Sequence, residues 1–320
     1  MASLQNKLRI SACLFNKPQM PFLTLFTAPK PFTNPHIATI QRNAIRSWLH
    51  LGPEVRAFLV GDEPGMAEAA AELGIQRLPE VARNPEGTPL VSSIFALARQ
   101  ACESPVLAYL NADILILPDF VEIARHVAEQ SKEFLVIGQR WDLAVSEELD
   151  FSAGWDQRLR ANVQARGRLH APAGSDYFIF PRLLYTDLPD FAIGRAGWDN
   201  WMIYQARIQG WPVVDATPSL LVIHQDHDYS HLPGGRPHYD LEESNRNMAL
   251  AGGAHHMYTV LDTDRQLIRG QIRAPRPSLL RALRQAELWL APKDGRRRGP
   301  RWALARRLRR CRRSMTGSKA

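Results

Sequence analysis

The stretch VLAYLNADILILPDF, residues 106 to 120, decides how this chain is read. Val106, Leu107, Tyr109, Leu110, Ile114, Leu115, Ile116 and Leu117 form an apolar run without clean alternation, the pattern of a central strand covered on both faces. Asn111-Ala112-Asp113 interrupts it. An ionised carboxylate there is tolerated at a strand end, in a pair, or against a cation. Alternate residues of a strand point the same way, so Asn111 and Asp113 read as two oxygen donors that could chelate a hard divalent cation shared with phosphates. An Asx turn that ends the strand is the alternative.

The segments before this stretch alternate between strand and helix. Residues 22–27 (FLTLFT) read as a first strand, closed by Ala28-Pro29-Lys30-Pro31. Asn34-Pro35 caps a helix whose apolar stripe is Ile37, Ile40, Ala44, Ile45 and Trp48, stopped at Gly52-Pro53. A strand over 55–60 ends at Gly61-Asp62, an Ala-rich helix covers 64–73, and 75–78 is a short third strand. The loop 83–89 (RNPEGTP) delivers a helix over 90–102. This β-α order predicts right-handed crossovers and a parallel sheet with its ligand crevice at the strand C-termini, where Thr27, Asp62 and Asp113 fall. Farther on, 120–130 reads as helix, 134–137 as strand, 147–166 as a polar segment, 177–180 as strand after Gly174-Ser175-Asp176, 197–209 as helix, and 213–214 and 220–223 as short strands.

A chain of 320 residues with 45% hydrophobic composition has ample core for one large domain or two small ones. Cys13, Cys102 and Cys311 form no metal or disulfide pattern, which fits a reducing compartment. Residues 1–20 are basic but lack a convincing signal h-region, and no segment approaches the ~18 apolar residues of a membrane span. The net charge of +8 divides unevenly: residues 296–320 hold ten Arg, one Lys and no acid, +11, leaving −3 on the rest. The high isoelectric point thus describes a basic tail on a mildly acidic body.

Three further segments carry chemistry. Gly197-Trp198-Asp199-Asn200 puts a carboxylate at a helix start, either as a cap or as a base. Residues 222–238 (VIHQDHDYSHLPGGRPH) hold four of the ten His and two Asp. His227 and His231 stand four apart, as in helical zinc pairs, but Pro233 and Gly234-Gly235 oppose a helix and no His-Glu-x-x-His is present, so a zinc hydrolase is the minor reading. The third is the basic tail.

The order of these pieces resembles the nucleotide-sugar glycosyltransferases of the GT-A fold. Asn111-Ala112-Asp113 takes the place of their Asp-x-Asp motif, with GTPLVSSIFALA before it and GSDYFIF, AGWDNW and HQDHDYSH after it, over roughly residues 22–231. The resemblance implies a Rossmann-like α/β sandwich with a mixed, mostly parallel central sheet over 21–272, an N-terminal extension at 1–20, and a helical, Arg-rich C-terminal extension at 273–320. It implies a sugar transferred from a nucleotide-diphosphate donor to a carbohydrate or other hydroxyl acceptor, with Mn²⁺ or Mg²⁺ on the diphosphate. Thr27, Ala28, Pro29, Asp62, Thr88, Ser92 and Asn111 would border the donor. Asp113, His224 and, as second choice, His227 would hold the metal. Asp199 would be the base, with Asp176 its rival. Asn111 departs from the family by replacing the first carboxylate, which keeps open a non-catalytic nucleotide-sugar-binding module.

The tail has two helical stripes, Leu279, Leu283, Ala286 and Leu290, then Leu304, Leu308 and Cys311 among arginines. A basic amphipath suits an anionic membrane surface, and so a cytoplasmic protein peripheral on the inner face of a membrane. A solvated tail is the alternative, and nucleic acid is disfavoured by the lack of an aromatic platform.

Overall fold

The apolar run of 106–120 folds as two strands belonging to two different sheets, not as one strand with an awkward carboxylate. The computed structural model describes residues 20–227, 241–292 and 298–316. Apart from Met20, the expected N-terminal extension lies outside these residues, as do His231, His238 and Pro233 to Gly235.

In chain order the first half comprises β1 (Leu23–Thr27), α1 (Pro35–Leu49), β2 (Val55–Val60), α2 (Met66–Leu73), β3 (Gln76–Leu78), α3 (Val91–Gln100), β4 (Val106–Leu110), β5 (Ile114–Ile116), α4 (Asp119–Gln130), β6 (Leu135–Ile137) and β7 (Trp141–Leu143). There follow α5 (Trp155–Arg166), β8 (Arg168–Leu169), β9 (Tyr177–Pro181), α6 (Trp198–Ile208), β10 (Val213–Asp215), β11 (Val222–Gln225), α7 (Glu242–Leu250), β12 (Arg265–Ile268), β13 (Gln271–Arg273), α8 (Leu279–Leu290) and α9 (Pro300–Met315).

The main sheet has nine strands in the order β13-β12-β10-β6-β9-β4-β1-β2-β3. β1 pairs parallel with both β2 and β4, β2 with β3, and β10 with both β6 and β12. β9 lies antiparallel between β4 and β6, and β13 is an antiparallel edge. The expected mixed, mostly parallel α/β sheet is therefore present. The parallel register of β4-β1-β2 also puts Thr27, Asp62 and the residues after Leu110 at one end of the sheet, as the crossover argument requires.

Both faces of this sheet are buried. Leu23, Leu25, Val106, Ala108 and Leu110 pack on one side with Ala44, Ile45 and Trp48 of α1 and Phe120 and Ala124 of α4. Phe26, Leu107 and Tyr109 face the other side, against Phe95 of α3 and Trp198 and Met202 of α6. The period of two is intact; it was hidden because both faces are apolar.

The second sheet, β5-β11-β7-β8, has its own small core of Leu115, Leu117, Leu143, Leu159, Val163 and Ile223. Its β11 begins and ends two residues later than the expected 220–223 strand, so His224 sits inside a strand and not after it. The polar segment 147–166 ends in the helix α5, which covers this small core with Leu159 and Val163.

After β13 the chain forms the hairpin of α8 and α9. Ser278 caps α8 by accepting a bond from the Arg281 amide at 3.3 Å. Arg281 donates to the Leu261 and Thr263 carbonyls at 3.0 and 2.9 Å, and Arg284 to Asp262 at 3.0 Å, fastening α8 to the sheet domain. Glu287, 1% exposed, accepts from Arg309 at 2.6 Å and Arg312 at 3.0 Å, which fastens α9 to α8.

Candidate functional site

The turn at Asn111 to Asp113 carries the chain from the large sheet to the small one, closed by an Ile114 amide donating to the Asn111 carbonyl at 3.1 Å. The expectation that Asn111 and Asp113 point together from a strand is thus corrected, because both lie in the turn and their side chains separate. Asn111 donates to Asp176 Oδ1 at 2.8 Å and accepts from the Tyr109 hydroxyl at 3.2 Å. Asp113 turns the other way.

Around Asp113 the second sheet gathers two imidazoles. β11 pairs antiparallel with β5 so that His224 lies opposite Ile114, next to Asp113. His224 Nε2 is 3.9 Å and His227 Nε2 3.1 Å from Asp113 Oδ2. Lys30, from the Pro-rich loop after β1, places its ammonium 3.4 Å from the same oxygen and 3.0 Å from His227 Nε2. Burial opposes ionisation of Asp113, but the Lys30 ammonium and the two imidazoles outweigh it and hold the carboxyl well below the usual carboxylate range.

The turn itself is secured by Gln225, fully buried. Its amide nitrogen donates from the backbone to the Asp113 carbonyl at 3.2 Å, and its side chain donates to the Ile40 carbonyl at 2.7 Å and accepts from Asn43 at 3.2 Å. Sequence reading passed over Gln225, Asn43 and Lys30. The first of these carries a signal, a polar residue inside the apolar strand of 220–225; a lysine in a loop carries none.

One ligand atom each of Asp113, His224 and His227 lies within 4.8 Å of the others, a spacing that a metal ion can bridge. Asp113 Oδ1 and His224 Nδ1 are buried without a hydrogen-bond partner among the described residues. A carboxylate with Oδ2 beside two imidazoles and Oδ1 buried and unmet fits a cation, since a buried acceptor left unmet is costly. His224 Nδ1 also lies 3.6 Å from Asp142 and 3.7 Å from Asp226. Asp142 in turn is held by Arg140 at 3.0 Å and His170 at 2.8 Å; burial works against its charge, but these partners depress its carboxyl. This carboxylate places negative charge behind the ring without a hydrogen bond to it, a second layer that the sequence did not disclose.

The two candidate bases meet across Gly174. A Cβ on Gly174 would overlap the Asp199 carboxylate, so the loop approaches the start of α6 at a distance only glycine permits. Burial, with the Asp176 charge adding to it, raises the Asp199 carboxyl to about 6. Asp176 Oδ1 receives both Arg140 at 2.6 Å and Asn111 at 2.8 Å. Asp199 in turn accepts backbone hydrogen bonds at the start of α6. Tyr109 and Trp198 lie edge to face at 5.1 Å beneath this group, joining β4 to α6.

The remaining donor candidates are dispersed. Thr27 is buried at the end of β1. Ala28 and Pro29 begin the loop that brings in Lys30. Asp62 is exposed and ion-paired with Arg77. Ser92 donates to Asp190 at 2.5 Å. Thr88 takes a long bond from Arg195 at 3.5 Å, and Arg195 itself pairs with Glu243 of α7 at 2.6 Å. Among the described residues no helix is long and apolar enough to cross a membrane.

No protein-family model matches the sequence, and no curated protein matches it. Among solved structures, the chain is similar to the mannosyltransferase PcManGT from Pyrobaculum calidifontis in complex with GDP-Man and Mn²⁺, at 12% identity and a TM-score of 0.44, covering 66% of this chain and 59% of that one. It is similar also to glucosyl-3-phosphoglycerate synthase from Mycobacterium tuberculosis, at 15% identity and a TM-score of 0.45, covering 82% of this chain and 89% of that one. That synthase has been solved with Mn²⁺, uridine-diphosphate and glucosyl-3-phosphoglycerate, at the same identity and TM-score.

Proposed function

We propose that this chain is a GT-A-type glycosyltransferase that moves a sugar from a nucleotide-diphosphate donor to an acceptor hydroxyl. The observation that carries the reading is the buried, depressed carboxylate of Asp113 at the C-terminal end of parallel strands, its Oδ2 beside His224 and His227 and its Oδ1 unmet. Asp113, His224 and His227 would hold a divalent cation there, Mn²⁺ or Mg²⁺, and imidazole donors favour Mn²⁺. Such a cation, when bound, supplies positive charge to the departing diphosphate.

The chain's own residues supply the rest. Lys30 brings a second positive charge to the same space and would neutralise a diphosphate oxygen. Asp142, itself paired with His170, would add negative charge behind His224 and favour its binding a cation. Asp199, with a carboxyl raised to about 6, would take the proton of the acceptor hydroxyl as its oxygen bonds to the anomeric carbon and the bond to the diphosphate breaks. Arg140 and Asn111 hold Asp176 beside it, where it would receive a hydrogen bond from the acceptor. Thr27, Ala28, Pro29, Asp62, Thr88 and Ser92 would be donor-side candidates.

A second reading, a nucleotide-sugar-binding module without turnover, is favoured by one observation: the Asn111 side chain is committed to Asp176 and Tyr109. A panel of nucleotide sugars offered with Mn²⁺ separates the two. Slow donor hydrolysis, lost in Asp199→Asn, supports the transferase; metal-dependent binding with no turnover of any donor supports the module; no binding at all contradicts both.

A further inference from the structure

The hairpin of α8 and α9 leaves one side of α9 uncovered, and we propose that this side docks on an anionic lipid surface. α9 carries seven arginines and no acid. Arg309 and Arg312 are engaged with Glu287, and Ala305 and Arg312 form the buried face against α8. At 3.6 residues per turn, the other side chains sort into two flanks.

On one flank Leu304, Leu308, Cys311 and Met315 follow at i, i+4, i+7 and i+11, with Leu304 47% and Met315 49% exposed. Arg301 sits one turn before Leu304, its Cζ 5.5 Å from the centre of the Trp289 ring, so the stripe continues onto this indole, which is 74% exposed. On the opposite flank Arg306, Arg310 and Arg313 recur at i, i+4 and i+7, with Arg307 beside them, and none has an acidic partner among the described residues. An exposed apolar stripe that continues onto an exposed indole on one side of the outer face of α9, and unpaired guanidinium groups on the other, match the chemistry of a bilayer interface. The apolar side chains enter the acyl boundary while the arginines pair with lipid phosphates.

Charge also sets the orientation. The five arginines of α9 outside the Glu287 pairs favour an anionic surface and the net −3 of residues 1–295 does not, so α9 is the side that lands. Nucleic acid would leave Leu304, Met315 and Trp289 in water. A symmetric second copy would set arginine against arginine.

The test uses the full chain and needs no sugar nucleotide, so it is independent of the transferase reading. Wild type should sediment with vesicles containing phosphatidylglycerol, should not sediment with pure phosphatidylcholine vesicles, and should be released as ionic strength rises. Arg306→Gln, Arg310→Gln and Arg313→Gln combined should weaken binding about a hundredfold, each basic side chain near such a surface contributing roughly fivefold. Leu304→Ser with Met315→Ser should weaken it without changing the salt dependence. These positions are exposed, and an unchanged melting temperature verifies the fold. Equal sedimentation with both vesicle types, no sedimentation of wild type, an unchanged triple variant, or arginine-dependent binding to duplex DNA or RNA without vesicle binding would each overturn the proposal.

Discussion

Replacing Asp199 by Asn should make the protein more stable at pH 8 and leave its stability at pH 4 nearly unchanged. The change preserves shape and removes a charge held beside Gly174 and Asp176. The carboxyl moves from an ordinary 3.8 to about 6 on folding. At 1.36 kcal/mol per pH unit the full shift corresponds to roughly 3 kcal/mol. Asp199 keeps a partly exposed edge, and solvent screening reduces this to about 1–2 kcal/mol. Because the folded value is the higher one, the native state binds the extra proton between the two values. Its stabilising contribution is complete below pH 4 and is lost as the pH rises through 6. Urea denaturation of wild type and variant at several pH values reports on this group, since titrations not coupled to Asp199 cancel in the difference. The expected difference is near zero at pH 4 and about 1–2 kcal/mol in favour of Asn at pH 8, with donor turnover reduced roughly 10²–10⁴-fold. A difference that does not vary with pH, or that favours Asp at pH 8, refutes the reasoning.

Gly174→Ala pushes a methyl into Asp199, so turnover should fall about a hundredfold for a shift near 1 Å while Mn²⁺ binding is unchanged; loss of metal binding would contradict the separation of the two groups. Lys30→Met removes an ammonium that competes for Asp113, so Mn²⁺ affinity of the free protein should rise several-fold, on the order of 1 kcal/mol for a partly exposed pair, while turnover falls. Titration with Mn²⁺ decides this, and weaker binding would mean that Lys30 supports the site. Glu287→Ala leaves Arg312 buried without a carboxylate and Arg284 with Asp262 alone, and should cost about 3–5 kcal/mol, read as early proteolysis after residue 273; a change under ~1 kcal/mol would show that α8 and α9 do not depend on it.

The sequence disclosed the sheet because β-strands separated by helices announce parallel crossovers, and each of the first four strands falls where its apolar run lies. The run at 106–120 concealed a change of sheet. Leu110 and Ile114 both join the large core while Leu115 and Leu117 join the small one, so no polar face marks where one sheet stops. Only Asn111-Ala112-Asp113 marks it, as the Asx-turn reading allowed. His224 and His227 stood out as part of a histidine-rich segment, and their meeting with Asp113 follows from the β5–β11 register. Lys30, Arg140, Asp142 and His170 were illegible because each reaches the site from a different loop or short strand, through pairings that no local pattern encodes. Asn111 was expected to share the cation; of its partners Tyr109 is local on β4, and Asp176 comes within reach only once β4 and β9 pair.

The most direct measurement is calorimetric titration of uridine and guanosine diphosphates into wild type and Asp113→Ala, with Mn²⁺, with Mg²⁺ and with chelator. The account predicts binding that requires metal, is tighter with Mn²⁺ than with Mg²⁺, and disappears in Asp113→Ala while the variant melts as a folded protein. Binding of equal strength in chelator, or retained by Asp113→Ala, would contradict it.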